Sequence, residues 1–418
     1  METLAELAGR PERCAPSIHI AGSKGKGSVT CMITSILTAA GFRAARYMSP
    51  HVTDIRERIC LGDSFFDEDV YCSAGNELRS IAEEKLPAEN NPLFTSDSQG
   101  YEPTFWELLT LLFFLCARRA ECDVMVVETG MGGRLDSTNI LDPLVSVITL
   151  IELEHTNFLG NTITAIAGEK AGIIKPGKPL ILAKQKDEAL EVFRQKAQEK
   201  NSRLYYFPET GEISNVGITP QGTEFTFGAL RLSIPVPGKV QAENAALAIA
   251  AVKTAFRPGT VTDDAIRRGL ANVKMPARFE KLIPSGASAA PPFIIDGAHT
   301  PESFALCVET FCMLYGEGGV LIFGCAADKN AEAMAKTAHE RFAKIIITTP
   351  GNFKASEPSN VYKIFTALAV KGKTLLIPDT HEAVKQAVLL AKANKPLPVL
   401  GAGSFYLVSE IRKYFYNS

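Results

Sequence analysis

Apolar and polar positions follow two rhythms along this chain. The runs 123–128, 144–149 and 179–183 are apolar or β-branched almost throughout, with no polar face. That is the pattern of strands covered on both sides in a parallel sheet. Residues 103–119 and 186–200 carry apolar positions at helical spacing instead. Strands and helices taking turns predict a parallel sheet clad by helices on both faces, with ligands at the carboxyl edge of its strands.

From about 203 to 235 the pattern becomes short and alternating, as in Thr223-Glu224-Phe225-Thr226-Phe227. This predicts an antiparallel insert or edge. An alanine-rich helix is expected over 242–256 and a hinge at Met275-Pro276-Ala277. The small, proline-ended stretch 285–292 marks the early part of a second unit. Beyond it, apolar runs near 293–296, 319–323, 343–348, 374–377 and 397–400 alternate with helical segments again. The chain reads as α/β, with two open, mostly parallel sheet domains divided as 1–276 and 277–418. The first holds the small antiparallel β part, and the second is Rossmann-like.

Composition narrows the class. The 44 basic and 46 acidic side chains nearly cancel, leaving a net charge of −2 and no electrostatic case for nucleic acid or an anionic membrane. The run 108–116 is the longest apolar candidate and is too short to span a bilayer, so it reads as a buried helix. The amino terminus lacks a basic and then apolar leader pattern, and a cytoplasmic protein is expected. Nine cysteines, an odd number without C-x-x-C pairs, suit reduced thiols better than disulfides or zinc.

The strongest chemical signal is Ser17-Ile18-His19-Ile20-Ala21-Gly22-Ser23-Lys24-Gly25-Lys26-Gly27-Ser28. It reads as a strand, a glycine-rich turn and a helix start. Glycines let the backbone approach an anion, and the N–H groups of turn and helix point at it. Residues Gly22, Ser23, Lys24, Gly25, Lys26, Gly27 and Ser28 form the candidate nucleotide cradle. Lys26 can reach the outer phosphates, and Ser28 can offer a hydroxyl to magnesium. Gly27 separates the lysine from the serine, a departure from the common G-x-x-x-x-G-K-S form. Glu128 ends an apolar strand before Thr-Gly-Met-Gly-Gly, where a carboxylate can face that magnesium or cap a turn.

The variant loop after His-Ile-Ala resembles that of folylpolyglutamate synthases and dihydrofolate synthases, ATP-dependent amide ligases of the Mur ligase superfamily. Further matching segments follow in order: Ser49-Pro50-His51 with Arg56-Glu57-Arg58-Ile59, Glu128-Thr129-Gly130-Met131-Gly132-Gly133-Arg134, and Glu154-His155. Glu169-Lys170-Ala171-Gly172-Ile173-Ile174-Lys175-Pro176-Gly177, Glu243-Asn244-Ala245-Ala246 and Arg278-Phe279-Glu280 continue the series. Asp296-Gly297-Ala298-His299, Phe323-Gly324 and Asp328-Lys329 complete it.

The resemblance implies ATP and two magnesium sites as cofactors, with Ser28, Ser49, Glu128 and His155 as metal ligands. It implies carbamylation of Lys170, whereas Glu-Lys-Ala-Gly-Ile-Ile-Lys read by itself favours a helix end with solvated lysines. Asn244 and Arg278 are placed near the nucleotide, the guanidinium on a phosphate, where the bland alternative is a surface salt bridge. Asp296 and His299 follow a strand and can both face the cleft, for phosphate contact and positioning. Lys26, Lys170, Asp296 and His299 are the candidate catalytic residues. Where the family has Asp before His155 this chain has Glu154, and where it has Asn after His299 this chain has Thr300. The segment Tyr101-Glu102-Pro103-Thr104-Phe105-Trp106-Glu107 resembles one that lies near the pterin, with Phe105 and Trp106 open to a core role.

The activity implied is addition of L-glutamate to a folate or to dihydropteroate through an acyl phosphate, giving ADP and phosphate. A monomer is expected, since the sequence has no evident coiled coil or apolar tail. A Mur-type ligase with another acceptor usually carries a domain before its phosphate loop, and only 21 residues precede Gly22 here. A diverged ATP-binding protein without ligase activity is the reading from a different class.

Overall fold

The computed structural model describes residues 1–85, 102–210, 213–282, 291–351, 355–368, 372–392 and 396–416. The first sheet contains β1 (Ser17–Ala21), β2 (Ala44–Tyr47), β3 (Ile59–Leu61), β4 (Ser64–Phe65), β5 (Val124–Glu128), β6 (Val145–Ile148), β7 (Leu180–Leu182) and β8 (Leu204–Tyr206), in the order β4-β3-β2-β5-β1-β6-β7-β8. Only the β2–β3 and β3–β4 pairs are antiparallel. A separate antiparallel sheet holds β9 (Ile213–Thr219), β10 (Gly222–Phe227) and β11 (Leu230–Ile234).

The second large sheet contains β12 (Glu280–Leu282), β13 (Phe293–Asp296), β14 (Gly319–Phe323), β15 (Phe342–Ile347), β16 (Thr374–Leu376) and β17 (Val399–Ala402), ordered β12-β13-β17-β14-β15-β16. All its pairs are parallel except β12–β13. The α/β reading with two mostly parallel sheets and a small antiparallel part holds.

Side-chain alternation along the strands sets the layers. On β5, Val124 and Val126 join the core under the helices Lys26–Ala39 and Lys239–Ala255, while Met125 and Val127 face the helix Phe105–Arg119. The same period of two on β14 sends Leu321 and Phe323 to one face and Val320 and Ile322 to the other. The expected apolar run 108–116 is the buried body of the helix Phe105–Arg119. Close helix packing is bought locally by Gly269, whose absent Cβ would lie 2.5 Å from the Ile36 Cα.

One expectation changes. The stretch from 203 is not antiparallel at its start, because β8 extends the first sheet parallel to β7. Strands β2, β3, β4 and β12 had no clear apolar run to announce them. The small-residue stretch 285–292 lies largely outside the described residues, as does Tyr101. Among the described residues no helix is long and apolar enough to cross a membrane.

Candidate functional site

All five residues of β1 are buried, so the chain emerges from the sheet directly into the glycine turn. Gly22 has φ +147°, and a Cβ there would lie 1.8 Å from Thr149 Oγ1. The backbone N–H groups of Ser23 and Lys24 donate to the Leu150 carbonyl at 2.8 and 3.1 Å, and Ser23 Oγ donates to the Glu152 carbonyl at 3.0 Å. These bonds pin the turn to the end of β6. Gly25, at φ +90°, precedes the helix Lys26–Ala39, and its Cβ position lies 2.6 Å from Asn244 Oδ1. Lys26 Nζ donates back to the Gly22 carbonyl at 2.9 Å, arching over the turn. Ser28 is buried in the first helical turn, which carries no acidic residue.

Several elements converge on Gly27. A Cβ there would meet Met48 Cε at 3.4 Å, Glu128 Oε2 at 3.5 Å and Arg278 Nη2 at 3.9 Å. Ser49 N–H donates to Glu128 Oε2 at 3.3 Å. Glu128 is 3% exposed. Burial pushes its carboxyl up to about 7 despite the opposing charges of Lys26, Arg278 and Arg58 and the Ser49 N–H. A buried carboxylate with one long hydrogen bond, beside a serine hydroxyl and a phosphate loop, is a hard-oxygen donor set that fits magnesium. Among the described residues no group of three or more His, Cys, Asp or Glu is arranged to hold an ion. Such an ion would therefore need phosphate oxygens and water to complete its shell.

Lys170, in the last turn of the helix Ile163–Ala171, is 1% exposed. Its Nζ donates to the Gly22 carbonyl at 2.7 Å and pairs with Glu154 Oε1 at 2.8 Å. Burial, then the nearby Lys26, lowers its amine to about 8 against the pull of Glu154. Burial raises Glu154, but the charges of Lys26 and Lys170 carry its net shift below the ordinary range. Two motifs distant in sequence interlock here. A Cβ on Gly133 would lie 2.8 Å from the Glu169 carbonyl oxygen, and one on Gly172 would lie 2.4 Å from Arg134 Cα. The Arg134 side chain closes the junction on Glu169 at 2.8 Å. His155, at φ +47°, sits beside Glu154; partial desolvation of its ring lowers its pKa, Glu154 opposes that, and Lys26, Lys170 and Lys329 reinforce it.

Asp296 ends β13 with its carboxylate turned onto backbone: Phe279 and Ala298 N–H groups donate to it at 2.8 Å each. It locks the turn 277–279, where Ala277 and Phe279 both have positive φ. Arg278 projects from that turn and stacks on Phe405 with 4.4 Å from its guanidinium carbon to the ring centroid. His299 Nδ1 lies 2.9 Å from the Gly297 carbonyl, so Nδ1 carries the proton and Nε2 is the free acceptor. Burial, followed by Lys24, lowers this ring to about 4, so it is neutral near pH 7. Thr300 caps the helix Pro301–Tyr315 through Ser303, a role its hydroxyl fills without an amide.

The structure thus gathers Gly22–Ser28, Ser49, Glu128, Asn244 and Arg278 around the loop, with Glu154 and Lys170 beneath it. Phe405 and Thr149 carry no functional signal in the sequence, since a single aromatic after a glycine turn and a threonine ending a strand run make no motif. Phe105 and Trp106 are exposed at the start of their helix, with the Arg58 guanidinium carbon 5.1 Å from the Trp106 ring centroid, so the expected core role does not hold for them.

Two family models match the chain: the Mur ligase middle domain over residues 81–252, and the Mur ligase, glutamate ligase domain over residues 277–403. The dihydrofolate synthase/folylpolyglutamate synthase of Bacillus subtilis is 32% identical, across 99% of this chain and 93% of that protein. The folylpolyglutamate synthase of Lacticaseibacillus casei is 30% identical, across 98% and 92%. Among solved structures, folylpolyglutamate synthase of Mycobacterium tuberculosis complexed with ADP and AMPPCP superposes with a TM-score of 0.87 at 27% identity, covering 100% of this chain and 95% of that one. The Thermotoga maritima folylpolyglutamate synthase gives 0.84 at 29% identity, covering 99% and 92%.

Proposed function

This chain belongs to the folylpolyglutamate synthase/dihydrofolate synthase family of Mur ligases, and we propose that it joins L-glutamate to a folate, to dihydropteroate, or to both, at the expense of ATP. The observation that carries the reading is the approach of Arg278, from beyond the expected hinge, to Gly27 of the phosphate loop, facing Glu128. In this reading 1–276 holds the nucleotide, and 277–418 brings a cation and the amine-binding face. A monomer is part of this reading, and so is a reducing cytoplasm, which nine unpaired cysteines suit.

In the reaction, a substrate carboxylate oxygen attacks the γ-phosphorus of ATP, and the bond from that phosphorus to the ADP oxygen breaks. The glutamate nitrogen then forms a C–N bond with the acyl carbon, phosphate leaves with the C–O electrons, and the ammonium proton is released. Backbone N–H groups of 22–28 and Lys26 hold the phosphates. Ser28, Glu128 and Ser49 would hold one magnesium and His155 would serve a second, and the metal would supply charge neutralisation for the transferred phosphoryl group. Arg278 binds the phosphoryl oxygens. Asn244 buttresses Gly25 beside the nucleotide, and Asp296 fixes the turn that carries Arg278. His299, neutral and with Nε2 open, orients the incoming amine or a phosphate.

Lys170 is the carbamylation candidate because burial depresses its amine. The neutral Nζ would add to carbon dioxide, forming an N–C bond and releasing one proton. The resulting anion faces Glu154, so it needs a cation between them or a turned Glu154.

Mass spectrometry of products tests the reading. Pure protein, ATP, magnesium and L-glutamate are mixed with dihydropteroate or with tetrahydrofolate. One glutamate added to dihydropteroate establishes synthase activity, and extension of tetrahydrofolate establishes polyglutamylation. No product in either, with ATP still bound, moves the chain to the binder without ligase activity.

A further inference from the structure

Arg46 breaks the rhythm of β2. Ala44 faces the core beneath the helix Lys26–Ala39, and Arg46 falls on that same face by the period of two, where an apolar side chain is required. Arg46 is nonetheless 8% exposed, and its Nε has no hydrogen-bond partner among the described residues. Its guanidinium meets only thiols, the Cys31 sulfur at 3.7 Å from Nη1 and Cys60 on the paired strand, and feels the charge of Asp63 without pairing with it. A buried guanidinium without a carboxylate is costly.

The guanidinium lines a cleft of about 360 Å³ between the helix Lys26–Ala39, the β3–β4 turn and the helix Asp263–Ala271. Arg268 and Lys274 line the same cleft. Asp63 is the one carboxylate on its wall among the described residues, and it is already paired with Lys274 at 2.8 Å. Arg268 also touches Asp264, at 3.3 Å on the exposed side. Three cations against one lining carboxylate leave the cleft positive, with the Ser35 and Thr38 hydroxyls beside it. Its volume falls in the range of small-molecule sites and exceeds what a bare ion occupies.

We infer that this cleft, separate from the nucleotide loop, is a binding site for a phosphate group, free or carried by a small organic ester. Arg46 supplies the buried, forked contact, and Arg268 and Lys274 supply the mobile rim charges. The inference does not depend on the ligase reading. It places a ligand on the helix that begins at the phosphate loop and on the strand that leads into Met48 and Ser49.

The test is titration calorimetry on the full chain saturated with magnesium and AMPPCP, so that the nucleotide loop is filled through its γ-phosphate position. Inorganic phosphate and glycerol 2-phosphate are the two probes, at ionic strength held constant with chloride. One site is expected, weakened roughly tenfold or more in Arg46→Met and in the double variant Arg268→Ala/Lys274→Ala. The double variant changes only exposed side chains, so it remains informative should Arg46→Met fail to fold. Tighter binding of glycerol 2-phosphate identifies an ester ligand, and binding of inorganic phosphate alone identifies the free ion. No binding of either probe, or unchanged affinity in either folded variant, overturns the proposal.

Discussion

Lys170 and Glu154 form a buried ion pair, 2.8 Å from Nζ to Oε1, directly beneath the Gly22 carbonyl of the phosphate loop. Glu154 is the residue that departs from the family pattern, and here its longer side chain is what reaches the lysine. Removing one partner leaves the other charge uncompensated in a site that water barely enters. Lys170→Met is therefore expected to cost about 3–5 kcal/mol of stability, and Glu154→Gln, which keeps an acceptor for Nζ, about half of that or less. Thermal unfolding with and without ATP measures both. The lysine's depressed folded pKa of about 8 sets a sign as well. Between pH 8 and the unfolded value near 10.5 the unfolded chain binds more protons, so stability rises with pH across that window.

Glu128 carries the opposite sign. Its folded pKa of about 7 exceeds the ordinary 4.5, so the native state holds a proton that the unfolded chain has lost. Stability present at low pH is then lost as pH rises through 7. Metal-free Glu128→Gln should be more stable than the parent at pH 8 by up to about 3 kcal/mol, and indistinguishable from it at pH 4. Magnesium–nucleotide affinity should run the other way, falling about tenfold per pH unit below 7 in the parent as protons compete for the carboxylate. In Glu128→Gln that pH slope should vanish. Calorimetric titration of magnesium–ADP at pH 6 and pH 8 reads both arms, and a preserved slope in the variant would remove Glu128 from the metal site.

Gly25 and Asn244 are in closer contact than any added Cβ permits. Gly25→Ala puts a methyl 2.6 Å from Asn244 Oδ1 and strains a φ of +90°. The KM for ATP is expected to rise tenfold or more. Asn244→Ala in the same chain removes the clash and leaves the backbone strain, so it should restore only part of the loss. Full restoration would mean that φ at Gly25 is not what shapes the loop, and no restoration would mean that Asn244 does not pack on it.

Much of this site was legible because its parts are local. The glycine loop, Glu128 at the end of an apolar strand and the strand before Asp296 each announce themselves within a dozen residues. What the sequence conceals is contact between motifs. Gly133 and Gly172 are both small because each faces the other's segment, yet nothing in either run names its partner. Phe405 is silent for the same reason: its role depends on a turn at 277–279 held by Asp296 from another strand. The fold follows the same division. Buried central strands such as β5 and β14 read clearly from their apolar runs, whereas β2 contains Arg46 and β3 is three residues long. Their strand character comes from pairing with neighbours and not from local preference.

Arg278 connects the two halves of the reaction and gives the sharpest kinetic test. Its guanidinium rests on Phe405, and its Nη2 lies 3.9 Å from the Cβ position of Gly27. If it holds the phosphoryl group as charge develops, its loss weakens the transition state more than the bound nucleotide. Arg278→Ala should then lower kcat by roughly 10²–10³ while raising the KM for ATP far less. Arg278→Lys should recover little, because a point charge neither forks onto phosphate nor stacks flat on the ring. Phe405 touches both the arginine and the His299 ring, 5.8 Å between ring centroids, so the smaller loss in kcat on Phe405→Ala should shrink when Arg278 is already alanine. Additive losses in the double variant would assign Phe405 a contact of its own. Wild-type kcat in Arg278→Ala would place the transferring phosphoryl group elsewhere.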